Sequence, residues 1–291
     1  MIRRRSSAVV AALVMAPVAA TGVLVAAGSP ASAGVQAPRV THAAATPASS
    51  PAATSTAVPL TVWRPSTGTW YVRNRAPVVY GVSGDIPLRR DYTGDGVADL
   101  AVWRPSTGTW YVRGRKPLQY GASTDVAVPA DYNGNGKAQI AIFRPSNGTW
   151  YLRGQAPIPY GYSTDVPVPA DYDGDGRVDI AVFRPSNGTW YIRKLSSVRY
   201  GLSSDRPVPA DYTGDGKADV ALWRPSTGAW YVRNYSTTVW GVSGDRTVPA
   251  DYSGGGRAQI AVWRPSNGTW YVRGFETVRF GVQGDVPIYS D

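Results

Sequence analysis

The sequence predicts an all-β chain: a six-bladed β-propeller of four-stranded antiparallel blades, closed by the C-terminal strand completing the first blade. Three observations predict it. A forty-residue pattern runs six times without insertion, Trp63-Arg64-Pro65-Ser66 returning at Trp103, Phe143, Phe183, Trp223 and Trp263. Each repeat holds short apolar runs separated by Gly, Pro, Asn and Asp, the signature of strands and turns. The first repeat starts at a second strand, Pro59–Trp63, and the sequence finishes on a first strand, 285–291, so the last segment can complete the first blade. A period of this length means a propeller or a solenoid. The linear solenoid stays open as the second reading, but closure removes the exposed strand edges of an open array.

The elements follow in chain order. Residues 1–33 read as a signal peptide: basic Arg3–Arg5, an Ala/Val/Leu-rich stretch from Ala8 to Ala27, then Ala31-Ser32-Ala33 as a small-residue cleavage site. The alternative is a retained membrane anchor; Pro17, Gly22 and the cleavage pattern speak for removal, which leaves no membrane span. Sec and twin-Arg export both stay open. Residues 34–57 are Ala/Pro/Ser/Thr-rich and read as a flexible linker, which holds the single histidine, His42. The repeats occupy 58–291. The expected location is secreted, with cell-wall association open, and the expected state is monomeric.

One repeat can be read from Asp165. Val166–Ala170 is a short extended run, and Asp171–Asp179 a polar Gly-rich loop. Ile180–Phe183 is an apolar strand. Ser186-Asn187-Gly188-Thr189 reads as a tight hairpin, with Asn-Gly suited to a type I′ turn. Trp190–Arg193 is the third strand, and residues 194–200 give a fourth, closed by Gly201. Proline sets the order. It cannot donate to a ladder and is confined to edges. The first run carries Pro167 and Pro169, and the last often carries one, as at Pro77, Pro117 and Pro157. The two middle strands are therefore central.

Composition narrows the chemistry. There is no cysteine, which excludes disulfides, a thiol nucleophile and Cys-ligated metal. Every acid other than Glu276 is an aspartate. A histidine triad, a His-rich metal site and a paired-Glu active site are hard to build from this set. An exported chain without disulfides needs a large core or a bound metal. The net charge of +10 permits an anionic partner.

The aspartates concentrate in loops that suit a hard cation. Carboxylates at loop positions 1, 3, 5 and 9, with Gly at 4 and 6, match calcium, which takes six to eight oxygens in flexible geometry. The fullest loop offers Asp171, Asp173, Asp175 and Asp179, with the carbonyl of Arg177 as a further ligand. A second offers Asp91, Thr93, Asp95 and Asp99 with the Val97 carbonyl. A third offers Asp211, Thr213, Asp215 and Asp219 with the Lys217 carbonyl. The loop of Asp131, Asn133, Asn135 and Gln139 keeps one carboxylate and is a doubtful site. The loop of Asp251, Ser253, Gly255 and Gln259 lacks its middle ligand and is expected empty; Asp291 stands where a sixth would begin. About three calcium ions are expected, in a structural role first. The competing reading is ordinary Asp/Gly turns.

The pattern D-Y-x-G-D-G-x-x-D-[ILV]-A-[VL]-[WF]-R-P-S resembles the FG-GAP-like, or VCBS, repeats of exported bacterial proteins, over about residues 58–291. Those repeats resemble the integrin α-subunit propeller. The resemblance implies calcium loops in a β-hairpin and a role in adhesion or recognition, sometimes as a lectin. The loops at 131 and 251 depart from it.

Aromatics recur at fixed positions, Trp70, Tyr71, Tyr80 and Tyr92 and their equivalents. Packing between blades is the first reading; exposed rings that stack on sugars is the second. Arg64 and Arg73, present in every repeat, are expected to stack on rings or to bond carbonyls and carboxylates. The variable fourth strand and its flanks carry Arg75, Arg115, Lys116, Lys194, Arg199 and Arg279. These read as a solvated edge, or as contacts to an anionic surface such as a cell-wall polymer. No nucleic-acid motif is present. The leading function is a non-catalytic, calcium-binding module that recognises carbohydrate or another surface component. A scaffold for an extracellular protein partner is second. An enzyme is third, because it needs a site that breaks the repeat symmetry and no aspartate falls outside it.

Overall fold

The computed structural model describes residues 57–289. The expected leader and nearly all of the expected linker lie outside the described residues, as does Asp291. The architecture is a six-bladed propeller, each blade a four-stranded antiparallel sheet. Blade two runs Ile86–Arg90, Asp99–Arg104, Thr109–Val112, Leu118–Gln119 in spatial order. Blades three to six repeat this order over 126–159, 166–199, 206–239 and 246–279. Blade one is assembled from both ends: Val286–Ile288 pairs with Thr61–Arg64, followed by Thr69–Val72 and Val78–Val79. Its closing register is Thr61↔Ile288, Val62↔Pro287 and Trp63↔Val286. The proline-bearing runs are the edges, as a residue without an N–H requires. Among the described residues no helix is long and apolar enough to cross a membrane.

The strands form because each places its apolar side chains between blades. The ten fully buried tryptophans sit on the second and third strands, and Phe143 and Phe183 take the second-strand position in blades three and four. Each third-strand indole N–H donates to the carbonyl that follows the fourth strand: Trp70 to Tyr80 at 2.9 Å, Trp190 to Tyr200 at 3.0 Å, Trp230 to Trp240 at 2.8 Å. A large ring is thus buried with its one donor satisfied. Phe183 and Trp190 of blade four pack with Val220 and Leu222 of blade five. Leu60 and Val62 of blade one pack with Val248, Trp263 and Trp270 of blade six, so the ring is closed by side chains as well as by a ladder.

Antiparallel order puts two kinds of connection on each face. The loops between first and second strands share one face with the third-to-fourth turns. The second-to-third hairpins share the other with the links between blades. The hairpin differs from the type I′ turn expected at Asn187-Gly188. It is a four-residue loop: Arg184 pairs with Thr189, and the N–H of Gly188 donates to the Arg184 carbonyl at 2.9 Å. A type I′ turn needs two consecutive residues of positive φ; here Gly188 has φ of 64° and Asn187 is not left-handed. Pro185 fixes a negative φ inside the loop. Asn187 acts through its side chain, accepting from Thr189 N–H at 3.0 Å and donating to the Tyr191 hydroxyl at 3.1 Å. The glycine is required twice over, since a Cβ at Gly188 would also collide with the Gly201 carbonyl.

Candidate functional site

The aspartate loops are built around their first residue. Asp171 is buried, and its carboxylate accepts the N–H of Gly174 at 2.6 Å and of Gly176 at 2.9 Å. Asp91, Asp131, Asp211 and Asp251 make the same pair of bonds to glycines three and five residues on. The glycines at these two positions have φ between 72° and 83° in all five loops, a region that side chains rarely enter. The loop backbone therefore forms wherever Asp stands at position 1 and Gly at 4 and 6, whatever fills the other positions.

Those other positions set the charge. In the loop of blade four, Asp171, Asp173 and Asp179 bring one carboxylate oxygen each within 4.8 Å of one another. Asp179 also accepts Tyr172 N–H at 3.0 Å, and Asp175 turns inward onto Arg177 N–H at 2.8 Å. Burial, and then the neighbouring carboxylates, push Asp179 up to about 6. Burial also raises Asp171. A cluster of hard oxygens carrying this much uncompensated negative charge fits a hard divalent cation. Asp171, Asp173 and Asp179 could hold it, with Asp175 and the Arg177 carbonyl beside them.

The other loops differ. In blade two, Asp91 is held below its usual range, its bonds to Gly94, Gly96 and Thr93 outweighing burial. Asp99 accepts from Tyr92 and Thr93 N–H, and Asp95 from Val97 N–H. In blade five, Asp219 and Asp215 repeat these bonds toward Tyr212, Thr213 and Lys217. Among the described residues, three carboxylates converge in the blade-four loop and in neither of these two. The loop of blade three replaces them by Asn133, Asn135 and Gln139. In blade six, Gln259 stands in for the carboxylate, its Oε1 accepting Tyr252 N–H at 2.6 Å and its Nε2 donating to Ser253 Oγ and the Arg257 carbonyl.

The loops are linked in series. The N–H of loop position 8 donates to the carbonyl of position 1 in the preceding loop: Ala138 to Asp91, Val178 to Asp131, Ala218 to Asp171, Ala258 to Asp211, at 2.7–2.8 Å. Val58 N–H plays this part for Asp251. Position 7 lays a basic side chain over the preceding loop. Lys217 crosses Gly174 so closely that a Cβ there would lie 3.1 Å from its Cγ, and Arg257 donates to the Tyr212 carbonyl. This cationic roof was not read from the sequence, where position 7 counted only for its carbonyl. The signal was there, in the basic series Lys137, Arg177, Lys217 and Arg257.

The hairpin face carries a second constellation. Each second strand ends in an arginine that grips a buried aspartate with two bonds: Arg184 to Asp165 at 2.8 and 2.8 Å, Arg224 to Asp205 at 2.7 and 2.9 Å, Arg64 to Asp285 at 2.8 and 3.0 Å. The six ion pairs among the described residues are all of this kind. The second carboxylate oxygen also accepts the N–H three residues earlier, as Asp85 does from Val82. These bonds raise each guanidinium pKa further. The arginine lies over a tyrosine ring, 4.5 Å from the Tyr71 centroid in blade one. Tyr71 and its equivalents are half-buried. Sequence reasoning missed the aspartates, treating Asp165 and its equivalents only as the start of each repeat, although in blades two to six each stands nineteen residues before its arginine; in blade one the ring closure brings Asp285 to Arg64, 221 residues away. Arg73 and most of its equivalents stay exposed on the opposite face.

Fold and repeated sites together define a symmetric six-bladed propeller whose two faces carry different chemistry. A lectin of Agrocybe aegerita, described for its specific recognition of non-reducing terminal N-acetylglucosamine, is similar in structure. It shares 17% identity, with 76% of this chain and 73% of that chain covered and a TM-score of 0.50. A chain of the BBS1N–ARL6DN complex shares 12% identity, with 85% and 86% covered and a TM-score of 0.45. The lectin likeness shows the fold. No family model matches the chain, and no curated protein matches it.

Proposed function

We propose that this protein is a secreted, non-catalytic recognition module: a calcium-stabilised propeller of FG-GAP/VCBS type that binds carbohydrate or another cell-surface polymer. The observation that carries this reading is the repeated hairpin face. Beside each Arg–Asp–Tyr unit stands the residue after the inter-blade glycine. Val82, Tyr162, Leu202, Val242 and Val282 are 49–64% exposed there, and Ala122 fills the remaining place. An exposed apolar side chain beside a tyrosine hydroxyl and guanidinium N–H groups suits a sugar, whose ring has an apolar face and a hydroxyl rim. Six shallow sites on one face favour avidity for a repeated polymer over tight single-site binding. The similarly folded lectin recognises a sugar, which adds weight to carbohydrate as the ligand class.

Calcium has a structural part in this reading. It neutralises the blade-four cluster and holds the first and second strands together. The symmetry argues against an active site, since no carboxylate pair stands apart from the repeats. The test is a glycan and cell-wall polymer array, run with calcium and then with chelator. Saturable binding that weakens when Tyr71 and its equivalents are replaced by alanine is expected. Absence of binding in both conditions would move the function to a protein-interaction scaffold.

A further inference from the structure

A cleft on the aspartate-loop face is lined by residues that depart from the repeat. A cavity of about 440 Å³ lies between blades two and three, a size suited to a small ligand. Four cations line it, Arg115, Lys116, Lys137 and Arg153, and no acid does. Trp110, Pro117 and Leu118 give it an apolar wall.

Two departures from the repeat produce this charge. The loop of blade three has Asn135 and Gln139 where blade four has Asp175 and Asp179, so the acids that would face these cations are gone. The turn between the third and fourth strands of blade two reads Arg113-Gly114-Arg115-Lys116-Pro117, three cations where no other such turn carries more than two.

A third departure leaves a buried hydroxyl without a partner on a residue that lines the cleft. In blades three to six the loop tyrosine donates its hydroxyl to the carbonyl four residues earlier, Tyr132 to Val128 and Tyr172 to Val168 at 2.7 Å, and Tyr212 and Tyr252 likewise. Those first strands carry a proline at 129, 169 or 209, or its equivalent at 249, where the ladder is interrupted before a single bridge such as Ala130↔Gln139. Blade two has Arg89 instead, and its ladder runs on through Leu88↔Ala101 to Arg90↔Asp99. Tyr92, which is 4% exposed and lines the cleft, has no partner for its hydroxyl, and neither has Gln139 Oε1. The group that suits a cleft lined by four cations and no acid is an anion.

We propose that this cleft binds an oxyanion-bearing saccharide, its phosphate or carboxylate held by Lys116, Arg115, Lys137 and Arg153, and its ring against Pro117 and Leu118. The site rests on the reading of the protein as a binding module, but lies on the face opposite the hairpin sites. Calorimetric titration of the whole protein with glucose 1-phosphate, glucuronic acid, inorganic phosphate and neutral glucose tests it. Glucose 1-phosphate and glucuronic acid should bind, more tightly than inorganic phosphate, and neutral glucose should not. Lys116→Ala, on an exposed turn, should weaken binding at least fivefold. Asn135→Asp with Gln139→Asp, which restores the repeat's acids, should weaken it at least tenfold. Tyr92→Phe, which removes an unpartnered hydroxyl, should not lower the Tm, whereas Tyr172→Phe, whose hydroxyl is bonded, should lower it. No saturable binding of either sugar acid, or unchanged affinity in the Lys116 and double variants, overturns the proposal. Inorganic phosphate binding as tightly as glucose 1-phosphate overturns it as a saccharide site. A positive glycan array with negative anion titrations would sink this inference alone; the reverse pattern would sink the hairpin-face reading alone.

Discussion

The loops 171–179 and 251–259 have the same backbone and opposite electrostatics. Both wrap two glycine N–H groups around a buried first aspartate. In blade four the remaining positions are carboxylates, three of which converge, and Asp179 is pushed up to about 6. In blade six a serine, a glycine and Gln259 fill those places, and the glutamine satisfies itself within the loop. Loop shape and metal capacity are thus written by different residues. Asp at position 1 with Gly at 4 and 6 makes the turn. In the proposed reading, the acids at 3, 5 and 9 decide whether the turn takes a cation.

The most drastic way to break the comparison is to open the ring that holds both loops. Truncation after Gly281 removes the strand paired with Thr61–Trp63 and the aspartate gripped by Arg64. It also strips the inner edge of blade one beside the Leu60–Trp263 packing. Loss of a cooperative thermal transition is expected, followed by circular dichroism.

Removing the first aspartate is next, and should affect both loops. Asp171→Ala and Asp251→Ala each leave glycine N–H groups without their charged acceptor, a loss of about 2–3 kcal/mol. Denaturant unfolding in chelator should show a cost for both, smaller for Asp171→Ala, which also relieves repulsion from Asp173 and Asp175.

pH separates the loops. Burial and the neighbouring carboxylates raise Asp179 to about 6, whereas an unfolded aspartate titrates at about 4. Between these values the folded protein keeps a proton that the unfolded chain has released. Linkage then gives metal-free stability that is full below the lower value and declines as pH rises through the upper one. Asp179→Asn should flatten this decline, measured as Tm from pH 4 to 7 in chelator. Blade six, with Gln259 at this position, contributes no such term.

The smallest effect is a gain. Gly255→Asp with Gln259→Asp gives blade six two of the acids it lacks. A Cβ at Gly255 meets only the Ser253 hydroxyl, at 3.2 Å, and φ there is not left-handed. A calcium-dependent rise in Tm of a degree or two beyond that of the parent protein is expected, on the order of 0.5 kcal/mol.

Much of the fold could be read from the residues. The forty-residue period gave the blade count, proline placement gave the strand order, and the phase of the two ends gave the closure. The hairpin was misread because Asn187-Gly188 is a strong local signal for a two-residue turn, and the pairing of Arg184 with Thr189 that makes it four residues is set by the strands. Arg184 was expected to stack on rings or to bond carboxylates, but its partner Asp165 was not named, since it is the pairing of the first and second strands that brings the two together. The orphaned Tyr92 hydroxyl depends on a ladder extended by one substitution, Arg89 for proline, whose consequence appears only in the register.

Calcium titration by thermal unfolding tests the division between loop shape and metal capacity most directly. The parent protein should gain Tm with calcium and lose the gain in chelator. Asp173→Asn with Asp179→Asn should lose most of that response while keeping the parent's metal-free Tm or exceeding it. A parent Tm unmoved by calcium, or a full response in the double variant, would contradict the account.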